Sequence, residues 1–450
     1  MTSRRPFADT IGATGLVVDM LEQWAVKPLK SWVRLKFLAA RPMKYGANEA
    51  ALDNDQNQPR FIRITDITED GSLRADTFKS LPPDMAQDYM LDDGDLLFAR
   101  SGATVGKTFI YQKSWGPACF AGYLIQFRCN RAKLLPRFLF YFTQGSDYWS
   151  QIGASTIQAT IQNVSAEKYG DVVLPVPPIP VQQAITEYLD RETPRLDGLI
   201  VAKERVLGLL AEKRRALITR DVTRGLDPRA PLRDSGIPWL GEIPAHWEIE
   251  RARWLFRERD ERSDTGEEEL LTVSHLTGVT LRSEKNVNMF EAETTEGYKI
   301  CLAGDLVINT LWAWMGAMGV SKVNGIVSPA YNVYQPGPQL DPSFVDALVR
   351  IPVFAQEVTR YSKGVWSSRL RLYPEGFFEV FLPVPPIGEQ RAIVSHIAAE
   401  TAKLDSLRSA TERTIALLKE RRAALIAAVV TGKLPIDIAP LDCGDENAVS

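Results

Sequence analysis

The sequence predicts an α+β protein with a pseudo-two-fold internal repeat. Two globular α/β domains of one design are separated by two long helices whose matched ladders pair as a coiled coil. Three observations predict this. A leucine-rich stretch returns after a shift of 208 residues, each copy has helical periodicity, and a segment with mixed strand and helix signals precedes each copy.

Taken in order, residues 1–30 are an N-terminal arm. Its Arg4 and Arg5 precede an apolar run that Asp9, Gly12, Gly15 and Asp19 interrupt, a poor secretion signal. The first domain, residues 31–180, opens at Trp32. It holds a strand-like run from Phe61 to Ile67, a Gly94-Asp95-Leu96-Leu97-Phe98 strand and a helix-like run from Phe138 to Ile152. The first long helix occupies 181–228. Residues 229–388 are a linker and the second domain; Gly225 to Trp247 is rich in Pro and Gly. This domain repeats the skeleton with Leu270 to Leu276, Gly304-Asp305-Leu306-Val307-Ile308 and Phe344 to Tyr361. The second long helix covers 389–434, and an acidic tail covers 435–450.

The repeat defines the helices. Pro175-Val-Pro-Pro-Ile179 returns as Pro383-Val-Pro-Pro-Ile387 and Gln182 as Gln390, and the match runs without a gap to Val222-Thr223 and Val430-Thr431. Leu189, Leu196, Leu210 and Leu217 form a seven-residue ladder, as do Ile397, Leu404, Leu418 and Leu425. Leu199, Val206 and Leu407 are expected on the alternate rung. Lys203 and Thr411 interrupt both ladders at one place, a device that fixes register. Thr193-Pro194 is a candidate kink or fresh start, and Gly225 and Gly432 mark the ends. About 40 helical residues span about 60 Å.

Composition narrows the function. The four cysteines form no CxxC pair and the three histidines are dispersed, so neither a disulfide framework nor a metal site is expected, and the chain reads as cytoplasmic. The uncharged stretch from Leu306 to Ser321 contains Asn309, Thr310 and glycines and is no membrane span. The net charge of −3 neither supports nor excludes nucleic acid, because phosphate contacts are local.

Where the two skeletons agree, the loops differ. After the Gly-Asp strand the first domain has Arg100, Ser101, Thr104 and Lys107; the second has Asn309, Thr310, Trp312 and Trp314. The next polar loops carry Gln158, Thr160, Gln162 and Asn163 against Ser367, Ser368, Arg369 and Arg371. Gln, Asn, Arg, Ser and Thr are the side chains that read base edges, and one scaffold with two loop sets suits two half-sites of DNA. Trp312 and Trp314 are candidates for stacking on a base, against the competing expectation of core burial.

Two chemistries are nearly present. Gly102-Ala-Thr-Val-Gly106-Lys107-Thr108 resembles a phosphate loop but has three residues between its glycines where four are needed, and an extended segment follows. Ser328-Pro-Ala-Tyr331 lacks the second proline of the amino-methyltransferase signature, and no glycine-rich cofactor strand accompanies it. ATPase and methyltransferase activity are therefore not expected of this chain.

The paired Pro-Val-Pro-Pro-Ile elements with Gln182 and Gln390, and the Leu-Asp…Glu-x-Arg…Ala-Leu-Ile…Val-Thr helices, make the chain resemble the specificity subunit of a type I DNA restriction–modification system, over about 32–434. The resemblance implies that the two helices form an antiparallel coiled coil separating two target recognition domains, each reading half of a split site in double-stranded DNA, with helix length setting the spacer. It implies two methyltransferase subunits docked on the helices, using S-adenosylmethionine to methylate adenine. Restriction would come from motor–nuclease subunits using ATP and Mg. This chain would bind no cofactor and perform no catalysis. A coiled-coil adaptor or scaffold that binds proteins rather than DNA is the competing reading.

Overall fold

Each long helix begins beside a proline whose carbonyl is free to receive the first amides. Pro178 accepts from Val181 and Gln182 at 2.9 and 3.0 Å, and Pro386 from Glu389 and Gln390 at 2.8 and 3.0 Å. The computed structural model describes residues 32–50, 53–68, 71–156, 163–285, 294–364 and 370–433. The N-terminal arm and the acidic tail therefore lie outside the described residues. The helices are Ile179–Arg224 and Ile387–Val430, of 46 and 44 residues. Each stops at a left-handed glycine, Gly225 at φ 70° and Gly432 at φ 72°. The first helix passes through Pro194 as one element, with no fresh start there; Thr193 and Leu196, buried on either side, hold the turn in the core.

The chain divides into two compact units: residues 1–203 with 414–450, and residues 204–413. Each unit thus holds half of each long helix. Among the described residues no helix is long and apolar enough to cross a membrane.

The strands of unit 1 are β1 (Trp32–Arg34), β2 (Lys44–Tyr45), β3 (Arg60–Ile62), β4 (Leu96–Ala99), β5 (Thr108–Ile110), β6 (Ala118–Phe120), β7 (Leu124–Phe127) and β8 (Val173–Pro175). An antiparallel sheet has the order β2-β7-β4-β5, and β3 runs parallel to β6. β1 closes on β8 with Trp32 opposite Pro175, sewing the start of the domain to its end. The core joins Val181, Ile185 and Leu189 of the first helix to Ile426, Val429 and Val430 of the second.

Unit 2 contains β9 (Leu232–Asp234), β10 (Glu242–Pro244), β11 (Glu248–Arg251), β12 (Phe256–Arg259), β13 (Leu271–Ser274), β14 (Gly278–Leu281), β15 (Lys299–Cys301), β16 (Leu306–Asn309), β17 (Met318–Val320), β18 (Gly325–Val327), β19 (Tyr331–Pro336) and β20 (Phe381–Val384). Its sheet, β12-β19-β16-β17, repeats the unit 1 order, and β11 closes on β20 with Ile249 opposite Pro383. Val222 and Ile393 are the fully buried contributions of the two helices to its core.

Four local expectations are corrected. The stretch from Gly225 to Trp247 is folded: β9 and β10 pair, and Ile243 and Trp247 are buried, because apolar residues spaced among its prolines reach the unit 2 core. Phe61–Ile67 is a strand only at its start. The Asp66 carboxylate accepts the Arg63 N–H at 2.8 Å and its guanidinium at 2.7 Å, turning Ile64–Asp66 into a 3-10 helix. Each helix-like run is two helices, Pro136–Phe142 with Ser146–Thr156, and Pro342–Val349 with Pro352–Tyr361.

The fourth correction concerns the seam. Leu199, Val206 and Leu407 are 46%, 39% and 56% exposed, while Ile200 and Ile415 are buried. A helix of 3.6 residues per turn brings the position four beyond Leu196 back to the seam, not the one three beyond. Lys203 is exposed and Thr411 is buried; the Thr411 hydroxyl donates to the Leu407 carbonyl at 2.8 Å. Leu189, Leu196 and Leu404 are buried, and Leu210, Leu217, Ile397, Leu418 and Leu425 are half-buried. Within unit 1 Asp197 pairs with Arg422, and within unit 2 Asp405 pairs with Arg214. Shifting one pair by 208 residues gives the other, so each unit holds an antiparallel helix pair in one register.

Candidate nucleic-acid interface

The strands that carry both candidate loops are positioned by an aspartate. Asp95 accepts the Asp92 N–H at 2.8 Å and the Arg128 guanidinium at 2.8 and 2.7 Å. Asp305 accepts the Leu302 N–H at 2.8 Å and Arg259 at 2.8 Å. Both aspartates are buried, and the hydrogen-bonded ion pair with the aspartate raises the pKa of each arginine above its ordinary value. The repeated Gly-Asp is thus the foundation of each loop, not part of a binding surface.

In unit 1 the loop after β4 is closed by its own backbone and two tyrosines. Ala99 N–H donates to Lys107 at 2.9 Å, and Gly106 N–H to Ala99 at 3.1 Å. The Tyr169 hydroxyl donates to Ala99 O at 2.6 Å and also receives Gly106 N–H; Tyr148 donates to Gly106 O at 2.7 Å. Burial pushes both phenols well above their usual range, so both stay neutral donors. Val105 and Lys107 amides are spent on Gly102 and Thr104, and Thr108–Ile110 is a strand. Amides turned inward before a strand give no cradle for phosphates.

Arg100, Ser101 and Thr104 are half-buried on this loop and Lys107 is exposed. The structure brings Arg100, Ser101 and Asn163 together: Arg100 Nε reaches Asn163 Oδ1 at 3.4 Å, Val164 N–H donates to Arg100 O at 2.9 Å, and Ser101 bridges to Asn163. Gln158, Thr160 and Gln162 lie outside the described residues. Sequence reasoning missed Tyr45, whose ring lies 4.8 Å from the Arg100 guanidinium carbon, and Tyr123, 65% exposed beside it. Neither falls in a repeated or polar motif, so no local signal marked them.

Unit 2 reuses the frame for other side chains. Leu372 N–H donates to Thr310 O at 3.1 Å, as Val164 does to Arg100. The Thr310 hydroxyl donates to Ala330 O at 2.8 Å. Asn309, expected to face a ligand, is buried; its Oδ1 accepts the Leu311 N–H at 3.2 Å and shapes the turn. Trp312 is 49% exposed and stacks on Trp314 with centroids 6.0 Å apart, while Trp314 Nε1 donates to Leu311 O. The pair therefore forms a surface platform rather than core. Arg371 is exposed and pairs through its backbone with Lys363; Ser367, Ser368 and Arg369 lie outside the described residues. Tyr331 begins β19 opposite Asn309, a sheet position. Among the described residues no cluster of His, Cys, Asp or Glu has the makings of a metal site.

Residues 44–196 match the family described as "Type I restriction modification DNA specificity domain". The chain is 21% identical over 433 residues to the type I restriction enzyme EcoBI specificity subunit of Escherichia coli, covering 90% of this chain and 86% of that one. Among solved structures it is similar to one titled for complex assembly and conformational transition of the type I R-M system, at TM-score 0.67 and 17% identity over 90% of this chain and 98% of that one. It is also similar to the HsdS subunit from Thermoanaerobacter tengcongensis, at TM-score 0.50 and 17% identity, covering 90% and 97%. The structural likenesses bear on the fold, which they share.

Proposed function

We infer that this chain is a DNA-sequence specificity subunit of a type I restriction–modification system, a non-catalytic protein that supplies the address for chemistry done by partner subunits. The specificity-domain match over 44–196 agrees with the resemblance read from the repeat. The observation that carries the reading is the duplicated frame with exchanged side chains. One backbone bond ties both polar loops together in each unit, yet it presents Arg100, Ser101 and Asn163 in one and Thr310, Trp312 and Arg371 in the other. Nothing in these comparisons favours a protein-binding adaptor.

We propose the finer assignments on the same grounds. Residues 31–180 and 229–388 contain the recognition domains, 181–228 and 389–434 are the helices that set the spacer, and 1–30 and 435–450 are flanking arms. Double-stranded DNA is the ligand. The chain holds no cofactor; S-adenosylmethionine belongs to methyltransferase partners, and ATP and Mg to motor–nuclease partners where restriction occurs. Two methyltransferase copies suit the surface, because exposed apolar side chains return with the repeat: Leu199 with Leu407, Leu209 with Leu417, and Phe37 with Trp254 in the same place after the first strand of each domain. Exposed apolar positions that return with the repeat fit one partner bound twice.

Coexpression with methyltransferase subunits and sequencing of the methylated adenines tests this. The expected motif is bipartite. Exchanging residues 31–180 for those of a relative should change one half-site and leave the other half and the spacer intact. A swap that alters both halves, or methylation with no sequence preference, defeats the reading.

A further inference from the structure

We propose that unit 1 reads a guanine in the major groove through Arg100, with Tyr45 and Asn163 as its positioning residues. This rests on the reading that the loops of unit 1 face DNA, and it names the base chemistry one half-site must contain.

Arg100 is held on two sides. The Tyr45 ring lies 4.8 Å from the guanidinium carbon, and the Tyr45 hydroxyl is itself fixed by accepting the Ala166 N–H at 2.9 Å. Asn163 Oδ1 faces Nε at 3.4 Å, and the backbone on either side ties the Asn163 loop to Arg100 and Ser101. Neither brace hydrogen-bonds the two Nη groups, and among the described residues Arg100 meets no carboxylate. Arg63, Arg128 and Arg137 of the same unit each meet an aspartate. A braced guanidinium with its forked edge free matches the O6 and N7 acceptors of guanine, the bidentate contact arginine makes to base edges. A phosphate accepts arginine from many directions and needs no fixed plane. Tyr123, whose carbonyl accepts the Arg100 N–H at 3.0 Å, places an exposed ring at the rim. Thr310 stands in the matching place of unit 2, so the contact belongs to one half-site only.

The test uses the chain in complex with its methyltransferase subunits. The half-site owned by unit 1 is the one that changes when residues 31–180 are exchanged. Duplexes carrying 7-deazaguanine, which lacks N7, at each guanine of that half in turn are titrated at fixed salt. One of them should weaken the wild-type complex by about 10-fold or more and leave Arg100→Ala unaffected. The methylome of Arg100→Ala should tolerate other bases at that position alone. Tyr45→Leu should show a partial form of the same relaxation, and Tyr45→Phe should recover most of the discrimination. Wild-type thermal stability of Arg100→Ala separates these effects from misfolding, and Arg100→Lys, which keeps the charge without the fork, should relax the position as alanine does. If no 7-deazaguanine weakens binding while the bipartite motif persists, the guanine contact is wrong and the specificity reading survives. Uniform weakening by Arg100→Ala across all sequences, with a shallower salt dependence, would make Arg100 a phosphate contact and also overturn the proposal. Methylation without any sequence preference would overturn both readings.

Discussion

Gln182 has no exposed surface, and its amide is fully occupied. It accepts the Leu135 N–H at 2.8 Å and donates to Lys133 O at 2.9 Å and Pro177 O at 2.8 Å. Gln390 repeats this with Asp341 N–H, Gln339 O and Pro385 O, each at 2.8 Å. Each glutamine pins the first turn of a long helix to the body of its domain. Gln182→Leu keeps the volume but strands three backbone groups, at about 1–3 kcal/mol each. The midpoint of urea unfolding should therefore fall well below wild type, and Gln390→Leu should behave alike. A variant of wild-type stability would remove the clamp from the account. The sequence marks both glutamines as a repeated letter without revealing their task, because their partners are main-chain groups, two of each three in a loop about 50 residues away. Tyr45 is hidden for the same reason: its value to Arg100 exists only once β2 and β4 lie in one sheet.

Along the helices the legible part was the ladder. Leu189, Leu196 and Leu404 are buried, as a seven-residue repeat requires. The alternate rung was misplaced by one residue, since identical leucines at 199 and 407 look like seam positions until the turn of the helix is counted. The correction separates two kinds of apolar residue. Ile200→Asp and Ile415→Asp place an unpaired charge in the buried seam and should cost about 3 kcal/mol or more, measured by thermal unfolding of the lone chain. Leu199→Asp and Leu407→Asp fall on exposed positions and should change stability by less than about 1 kcal/mol, yet pull down less methyltransferase subunit. Equal stability losses in both sets would return the seam to its first assignment. The ion pairs Asp197–Arg422 and Asp405–Arg214 are partly exposed, so Arg214→Ala should cost no more than about 1 kcal/mol.

At the scale of the molecule, pairing between the N-terminal half of one helix and the C-terminal half of the other changes how the spacer is tested. Four residues inserted near Lys203 alone would shift one helix against its partner. Four inserted near Lys203 together with four near Arg413 preserve both registers, and add about 6 Å per helix. The tolerated gap between half-sites should then grow by one or two base pairs, at about 3.4 Å each, with both half-sites unchanged in the methylome. An altered base preference would show that the helices do more than separate the readers. The division into units was not legible from the repeat, which marks copies that follow one another along the chain and says nothing of which halves meet.

That division also has a consequence for synthesis. Unit 2 is one uninterrupted stretch, residues 204–413, whereas unit 1 needs Ile426, Val429 and Val430 to complete its core. A ribosome delivers the N-terminal domain first, yet that domain lacks part of its core until residues 426–430 have emerged. The second domain should therefore close before the first, the reverse of the usual order of folding during translation. Nascent chains arrested after Arg413 should protect unit 2 from protease and leave unit 1 susceptible, and release of residues 414–433 should convert unit 1 to the protected form. In this protein the second long helix is the one that finishes the domain begun at Trp32.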